Sequence, residues 1–175
     1  FSIDGFEIHV GASIGLAENT NAVNSSVHMT NADLALYVAK DRGRGTCVVY
    51  EPSMREKLEE RSSLENDLEA ALENGQLGVV YQPIVRTEGR SVMCYEALMR
   101  WEDPERGVVP PSVFIPIAEE CRLIEQLGAW MLREACSEAA SWPEEVKLTV
   151  NISTLQMSDP SFLHTVAQAI AASGL

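Results

Sequence analysis

The sequence predicts an α/β fold, and three features of its 175 residues point there. Val79 to Val85 and Ser91 to Trp101 are rich in β-formers, and Thr87-Glu88-Gly89-Arg90 between them carries the glycine that a tight turn wants. Beyond this hairpin come helical patterns, a strand and a further helix, which is a βα progression. Ahead of it, residues 1–50 hold short strand patterns around one helix and read as part of a different domain.

Composition narrows the class. Hydrophobic residues make up 46% and charged residues 22%, a normal balance for a soluble globular chain. No apolar run approaches the ~20 residues of a membrane span, and no secretory signal opens the chain. The net charge of −13, without any Lys/Arg-rich run, argues against a nucleic-acid polymer or an anionic membrane as partner. An acidic protein that handled a polyanionic nucleotide would need cations at its site, which points towards bound metal. Cys47, Cys94, Cys121 and Cys136 lack any short metal-type spacing, and Cys94 and Cys136 fall at core-facing positions. They imply a reducing cytoplasm with no disulfide framework. His9, His28 and His164 are scattered and cluster with nothing.

In chain order, Phe1 to Ala17 reads as a hairpin, with Asp4-Gly5 as its turn and Phe6, Ile8, Val10 and Ala12 alternating with Glu7, His9 and Gly11. Asn19 to Ser26 is polar and loop-like. Thr30 or Asn31 is placed to cap a helix running to about Arg42, on which Ala32, Ala35, Leu36 and Ala39 give the helical stripe. Gly43 or Gly45 ends it, and Thr46 to Tyr50 is a short strand. Glu51-Pro52 breaks that strand, and Ser53 is a candidate cap for a second helix. From Met54 to Glu73, charged residues surround a thin stripe of Leu58, Leu64, Leu68, Ala71 and Leu72, an amphipathic helix that Asn74-Gly75 terminates. It reads either as a joint between two domains or as a helix packed on the second alone.

Strand one then spans residues 77–85 and strand two 91–101. So short a connection forces them antiparallel, because a parallel pair needs a dozen or more linking residues. Glu102 to Val109 reads as a charged loop. Ser112 is a plausible cap for a short helix to about Glu120, with Phe114, Ile117 and Ala118 inward. A longer helix from about Leu123 to Ser141 carries Leu123, Leu127, Trp130, Met131 and Cys136 as its core stripe, and Pro143 stops it. Lys147 to Ser153 is a strand with Leu148, Val150 and Ile152 on one face and Thr149, Asn151 and Ser153 on the other. Ser158 or Asp159, followed by Pro160, opens a helix bearing Phe162, Leu163, Val166 and Ile170.

The second strand holds the informative face. Its odd positions, Met93, Tyr95, Ala97, Met99 and Trp101, are apolar and want a helix layer. Its even positions, Val92, Cys94, Glu96, Leu98 and Arg100, end with a carboxylate and a guanidinium. An inward Glu is costly unless a cation satisfies it. Arg100 lies ~13 Å further along the strand, which leaves Glu96 to hold a metal ion and Arg100 to meet an anion. A structural ion pair between them is the alternative. A hairpin closing symmetrically about Gly89 sets Gln82 opposite Glu96. The 147–153 strand has the length of a parallel crossover, and polar residues at strand C-terminal ends mark the working face of such sheets. Glu96, Arg100 and Asn151 sit there.

Tyr81-Gln82-Pro83-Ile84 and Glu96-Ala97-Leu98-Met99-Arg100-Trp101 resemble the opening of an EAL domain, the bacterial phosphodiesterase of cyclic di-GMP. The resemblance continues through Pro111-x-x-Phe114-Ile115, Ala118-Glu119-Glu120, Gly128-x-Trp130-x-Leu132, Ala135-Cys136 and Val150-Asn151-Ile152-Ser153. Ala12 to Ala17, Ala32-Asp33-Leu34-Ala35-Leu36-Tyr37-x-Ala39-Lys40 and Gly43-Arg44 are similar to the C-terminal part of a GGDEF (diguanylate cyclase) domain. The two together imply residues 1–52 as the end of a GGDEF domain, 53–75 as a connecting helix and 76–175 as the start of an EAL domain. The EAL resemblance implies a (β/α)8-type barrel with an antiparallel first strand.

The same resemblance implies hydrolysis of cyclic di-GMP to linear pGpG with two Mg2+ or Mn2+ ions. Glu96 and Asn151 then match metal ligands, Arg100 a phosphate contact, and Gln82 and Leu98 positions along the dinucleotide. A buried, hydrogen-bonded amide is the other reading of Asn151. The family's remaining acidic ligands and its lysine are expected downstream of residue 175, so the chain reads as a window on a longer protein, inactive alone. The resemblance also allows a homodimer through the EAL domain. Lys40 and Arg44 match phosphate contacts of the GGDEF family, although cations at a helix C-terminus are favourable in any case. The Gly-Gly-Asp/Glu-Glu-Phe turn itself is absent from these residues, so they cannot make cyclic di-GMP. The rival to the enzyme is a cyclic di-GMP receptor that relays binding without catalysis, and a purely structural interaction domain is a third reading.

Overall fold

The computed structural model describes residues 2–3, 6–7, 10–18, 24–89 and 91–175. The expected turn at Asp4-Gly5, the positions of Ile8 and His9, the loop at 19–23 and Arg90 lie outside the described residues. Two compact units divide the chain, Phe1–Ser62 and Ser63–Leu175.

In the first unit, β1 (Ser2–Ile3) pairs antiparallel with β2 (Phe6–Glu7). The single long hairpin expected up to Ala17 does not form, because β3 (Ile14–Leu16) pairs instead with β4 (Cys47–Val49), in parallel. Between them runs α1 (Ser25–Asp41), which starts earlier than expected because Asn24 is its cap, accepting from the Ser26 N–H at 3.3 Å. Thr30, a predicted cap, is inside the helix and bonds back to the Ser26 carbonyl. A Cβ on Gly15 would overlap the backbone of Ala32 and Leu36, so only glycine lets β3 approach α1 this closely. Leu34, Ala35, Ala39, Val48 and Met54 form this unit's core. Arg44 lies past the helix end at φ 65°, so it and Lys40 do not share a helical face as the spacing suggested.

Helix α2 (Pro52–Glu73) runs across the division between the units. It begins at Pro52, which places Ser53 inside the first turn rather than at the cap. Leu64, Leu68 and Ala71 are buried, whereas Leu58 is exposed and belongs to no core.

The second unit is built on β5 (Leu77–Val85) and β6 (Val92–Asp103), the expected antiparallel hairpin. Residues 102–109 are not a loop: β6 continues to Asp103, turns at Gly107 (φ 73°), and pairs with β7 (Gly107–Val109). Helices α3 (Pro111–Glu120) and α4 (Ile124–Ala139) come next, and then β8 (Lys147–Val150), parallel to β6. Pro110 rather than Ser112 caps α3. The four strands make an open sheet in which β5 lines one edge of β6 while β7 and β8 share the other. The barrel that the resemblance implied is not closed. Ser153 does not extend β8 but caps α5 (Thr154–Ser158), a helix that periodicity missed. Helix α6 (Phe162–Ser173) starts after Pro160, with Ser161 as its cap.

Burial follows the alternation only over the second half of β6: at its start Met93 of the odd face is exposed and Cys94 of the even face is buried. Ala97 and Trp101 of the odd face are buried under the helices, Trp101 edge-on to Phe114 at 5.8 Å. The main core joins α2 to this layer through Leu64, Leu68, Trp101, Phe114, Ile117 and Leu127. Cys94 and Cys136 are buried, as expected. No helix among the described residues is long and apolar enough to cross a membrane.

Candidate functional site

The hairpin register sets Gln82 directly opposite Glu96. The parallel register of β8 sets Glu96 beside Thr149 and Ala97 beside Val150. Asn151 is therefore the first residue past the C-terminal end of β8, one strand over from Glu96. Its carboxamide Nδ2 donates to Glu96 Oε1 at 2.6 Å. Thr149 Oγ1 ties the same pair of strands together by donating to the Tyr95 carbonyl at 3.3 Å. The sequence-predicted pair thus meets by backbone register alone.

Arg100 does not reach Glu96. Its Nη1 donates to the Met99 carbonyl at 2.8 Å, and it makes no ion pair among the described residues. Of the two readings of Glu96, the ion pair with Arg100 is therefore not the one adopted. A guanidinium held by one backbone carbonyl keeps four of its five N–H groups for an anion.

Beside this face lies a cavity of about 290 Å³ between the strand ends and helices α3, α4 and α5. Leu98, Arg100, Glu119, Asn151, Ser153 and Gln156 are among its walls. Leu98, Arg100 and Asn151 share this concavity with Ala97 and Met99 of the odd face, whereas Glu96 is not among its walls and Gln82 stands exposed on the neighbouring strand.

Carboxylate and carboxamide oxygens are the donors a hard divalent cation takes. Glu96 and Asn151 carry such oxygens side by side, with the Asn151 Nδ2 rather than its oxygen turned to Glu96 in this structure. Among the described residues no group of three His, Cys, Asp or Glu side chains converges on one point, so these two make a half-site. His28 on α1 and the exposed His164 on α6 take no part.

The opposite face of the hairpin is built differently. Tyr81 and Tyr95 pack on Trp142 with ring centroids 5.2 and 5.0 Å away. Burial pushes the Tyr81 phenol above its ordinary pKa, and the carboxylates of Glu138 and Glu134 add to the shift. Burial likewise pushes the Cys136 thiol up, which makes it inert as a nucleophile.

Two features escaped the sequence reading. One is a clamp on the β6–β7 turn, where Asp103 Oδ1 accepts the Glu105 and Arg106 N–H groups at 2.9 and 2.7 Å. Arg106 then reaches α2, pairing with Asp67 at 2.7 Å and donating to Ser63 Oγ at 2.8 Å. The other is Gln156, a polar residue only 5% exposed, in a capping box with Ser153. Ser153-Thr-Leu-Gln156 spells that box, so the pattern was there to find.

Comparison with known proteins identifies the family. The model of the EAL domain family matches residues 65–175. The cyclic di-GMP phosphodiesterase PdeR of Escherichia coli K12 is 36% identical over 174 residues, which are 97% of this chain and 26% of PdeR. MucR of Pseudomonas aeruginosa, a bifunctional diguanylate cyclase/cyclic di-GMP phosphodiesterase, is 37% identical over 97% of this chain and 26% of its own length. The chain therefore spans about a quarter of these relatives. The solved PaMucR phosphodiesterase in complex with c-di-GMP superposes with a TM-score of 0.63 at 37% identity, covering 65% of this chain and 47% of that one.

Proposed function

We propose, on the premise that this chain belongs to the EAL domain family, that the protein carrying it is a phosphodiesterase hydrolysing cyclic di-GMP to linear pGpG. The observation that carries the reading is the approach of Asn151 to Glu96, where the carboxamide Nδ2 donates to Glu96 Oε1 at 2.6 Å and a rotated carboxamide would present its oxygen to an ion instead. A domain that only bound the nucleotide would have no need of that pair.

Glu96 and Asn151 would hold a Mg2+ or Mn2+ ion, which when bound supplies the charge that activates water and neutralises the leaving oxygen. Arg100 turns its free N–H groups to a phosphate of the dinucleotide. Leu98 gives an apolar surface along the ligand, and Gln82, across the hairpin from Glu96, offers it an amide. Further acidic ligands, a second ion and closure of the barrel come, in this reading, from strands beyond residue 175.

Residues 1–52 are in the same reading the end of a GGDEF domain, joined by a connecting helix at 53–75 to the EAL part at 76–175. The match to MucR along 97% of the chain supports that order. A cytoplasmic site of action and a homodimer through the EAL domain complete the proposal.

Glu96→Ala in the full-length protein tests it. Conversion of cyclic di-GMP to pGpG, monitored by chromatography, should fall to background with the far-UV circular dichroism unchanged. Turnover equal to that of the wild type would remove Glu96 from the reaction.

A further inference from the structure

We propose that Gln156 is a positioning residue for the Glu96–Asn151 half-site, holding Asn151 in place through the turn between β8 and α5. The inference rests on the phosphodiesterase reading and adds to it a residue that acts on Asn151 through the backbone of the turn.

Asn151 is caught between two fixed points. On its N-terminal side Val150 is locked in the β8 ladder opposite Ala97. On its C-terminal side, Ser153 is locked by the capping box: its N–H donates to Gln156 Oε1 at 3.1 Å, and its Oγ accepts from the Leu155 N–H at 3.1 Å. Only Ile152 separates Asn151 from that lock. A two-residue span with both ends held leaves the carboxamide little freedom in direction.

Gln156 is itself seated rather than free. It is 5% exposed, and a buried carboxamide is tolerated only where its polar atoms are engaged. Its carboxamide lies against the backbone of Gly128 on α4, so close that a Cβ there would overlap it. Glycine is a poorer helix former than alanine. Its place in the middle of α4, buried, is explained by the room it leaves for Gln156. The chain of contacts runs from Gly128 to Gln156, to the Ser153 N–H, and so to Asn151 and Glu96. Groups that orient metal ligands in this way typically change metal affinity 10- to 100-fold when removed.

The test measures Mn2+ binding to the full-length protein by the paramagnetic resonance of free Mn2+, beside the Mn2+ dependence of turnover. Gln156→Leu keeps the bulk and removes the acceptor. It should weaken Mn2+ binding ~10-fold or more, with KM for cyclic di-GMP at saturating Mn2+ unchanged. Gln156→Glu, which keeps an oxygen for the Ser153 N–H, should restore most of the affinity. Gly128→Ala should reproduce the Gln156→Leu defect by displacing the carboxamide, although alanine is the better helix former. Wild-type Mn2+ binding in both Gln156→Leu and Gly128→Ala, with only a lowered melting temperature, would overturn the inference and leave Gln156 a packing residue. Asn151→Ala separates the two levels. Weakened binding there with normal binding in the other variants sinks the positioning role alone, whereas normal binding in Asn151→Ala sinks the half-site with it.

Discussion

Glu96 finds an amide on the next strand rather than the guanidinium on its own, and strand geometry decides between them. Residues four apart on one strand are ~13 Å apart, whereas a neighbouring strand lies under ~5 Å away. Arg100 is left on the same face without an ion pair among the described residues. Removing it therefore strands no buried carboxylate, and the fold should survive Arg100→Ala. A charge-assisted hydrogen bond contributes ~1.5–3 kcal/mol, so calorimetric titration of the full-length variant should show cyclic di-GMP bound about 10- to 100-fold more weakly. Unchanged affinity would mean that the guanidinium faces no phosphate. At this scale the sequence was informative wherever alternation applied. The Gln82–Glu96 pairing and the approach of Asn151 come from period-2 geometry and one turn glycine, whereas at the start of β6 the exposed Met93 and buried Cys94 depart from that period. The capping box of Gln156 was spelled by Ser153-Thr-Leu-Gln156, but its seat against Gly128 was not legible, because no local pattern announces a contact with another helix.

Among the elements, long periodic ones were readable and short ones were not. The hairpin, α4 and the parallel crossover emerged from their patterns, while the five-residue α5 is too short for periodicity to register. Helix α6 buries Ala169 and packs Phe162 and Val166 against α4; Leu163 and Ile170, one residue on, turn away and stand exposed. Strand β7 was hidden by the charges of residues 102–109, of which Asp103 and Arg106 serve the turn while Glu102 and Glu105 face solvent. The Arg106 N–H, with the Glu105 N–H and the Arg106 guanidinium behind it, outweighs burial and holds the Asp103 carboxyl below its ordinary pKa. A carboxylate depressed in the folded state stabilises above its unfolded pKa, near 3.9. That contribution is lost as pH falls through the lower folded value. Urea midpoints taken at pH 7 and at successive steps below pH 4 should show an acid loss of stability that Asp103→Asn reduces. An identical acid limb in that variant would place the sensitive carboxyl elsewhere.

For the molecule as a whole, the question is whether the chain unfolds in one step or two. Its buried clusters do not mix. Leu34, Ala35, Ala39, Val48 and Met54 all belong to Phe1–Ser62, and the clusters around Trp101, Ala97 and Leu132 all belong to Ser63–Leu175. Only α2 contributes to both, Met54 to one core and Leu64, Leu68 and Ala71 to the other. Cooperativity along a helix fades where no packing supports it, and between Met54 and Leu64 no residue of α2 is buried. Hydrogen exchange then has a definite expectation. Leu68 is fully buried, and Leu68→Ala should cost ~2–5 kcal/mol, the transfer term plus the cavity left behind. Amides of β5, β6, α3 and α4 should lose protection by that amount, while those of α1 and β4 keep theirs, because Leu68 belongs to a different core cluster from Leu34, Ala35, Ala39 and Val48. The complementary substitution, Val48→Ala, should reverse the pattern. Equal loss across all these elements would show that the separate cores nevertheless open as one cooperative unit, with α2 transmitting the destabilisation along its length.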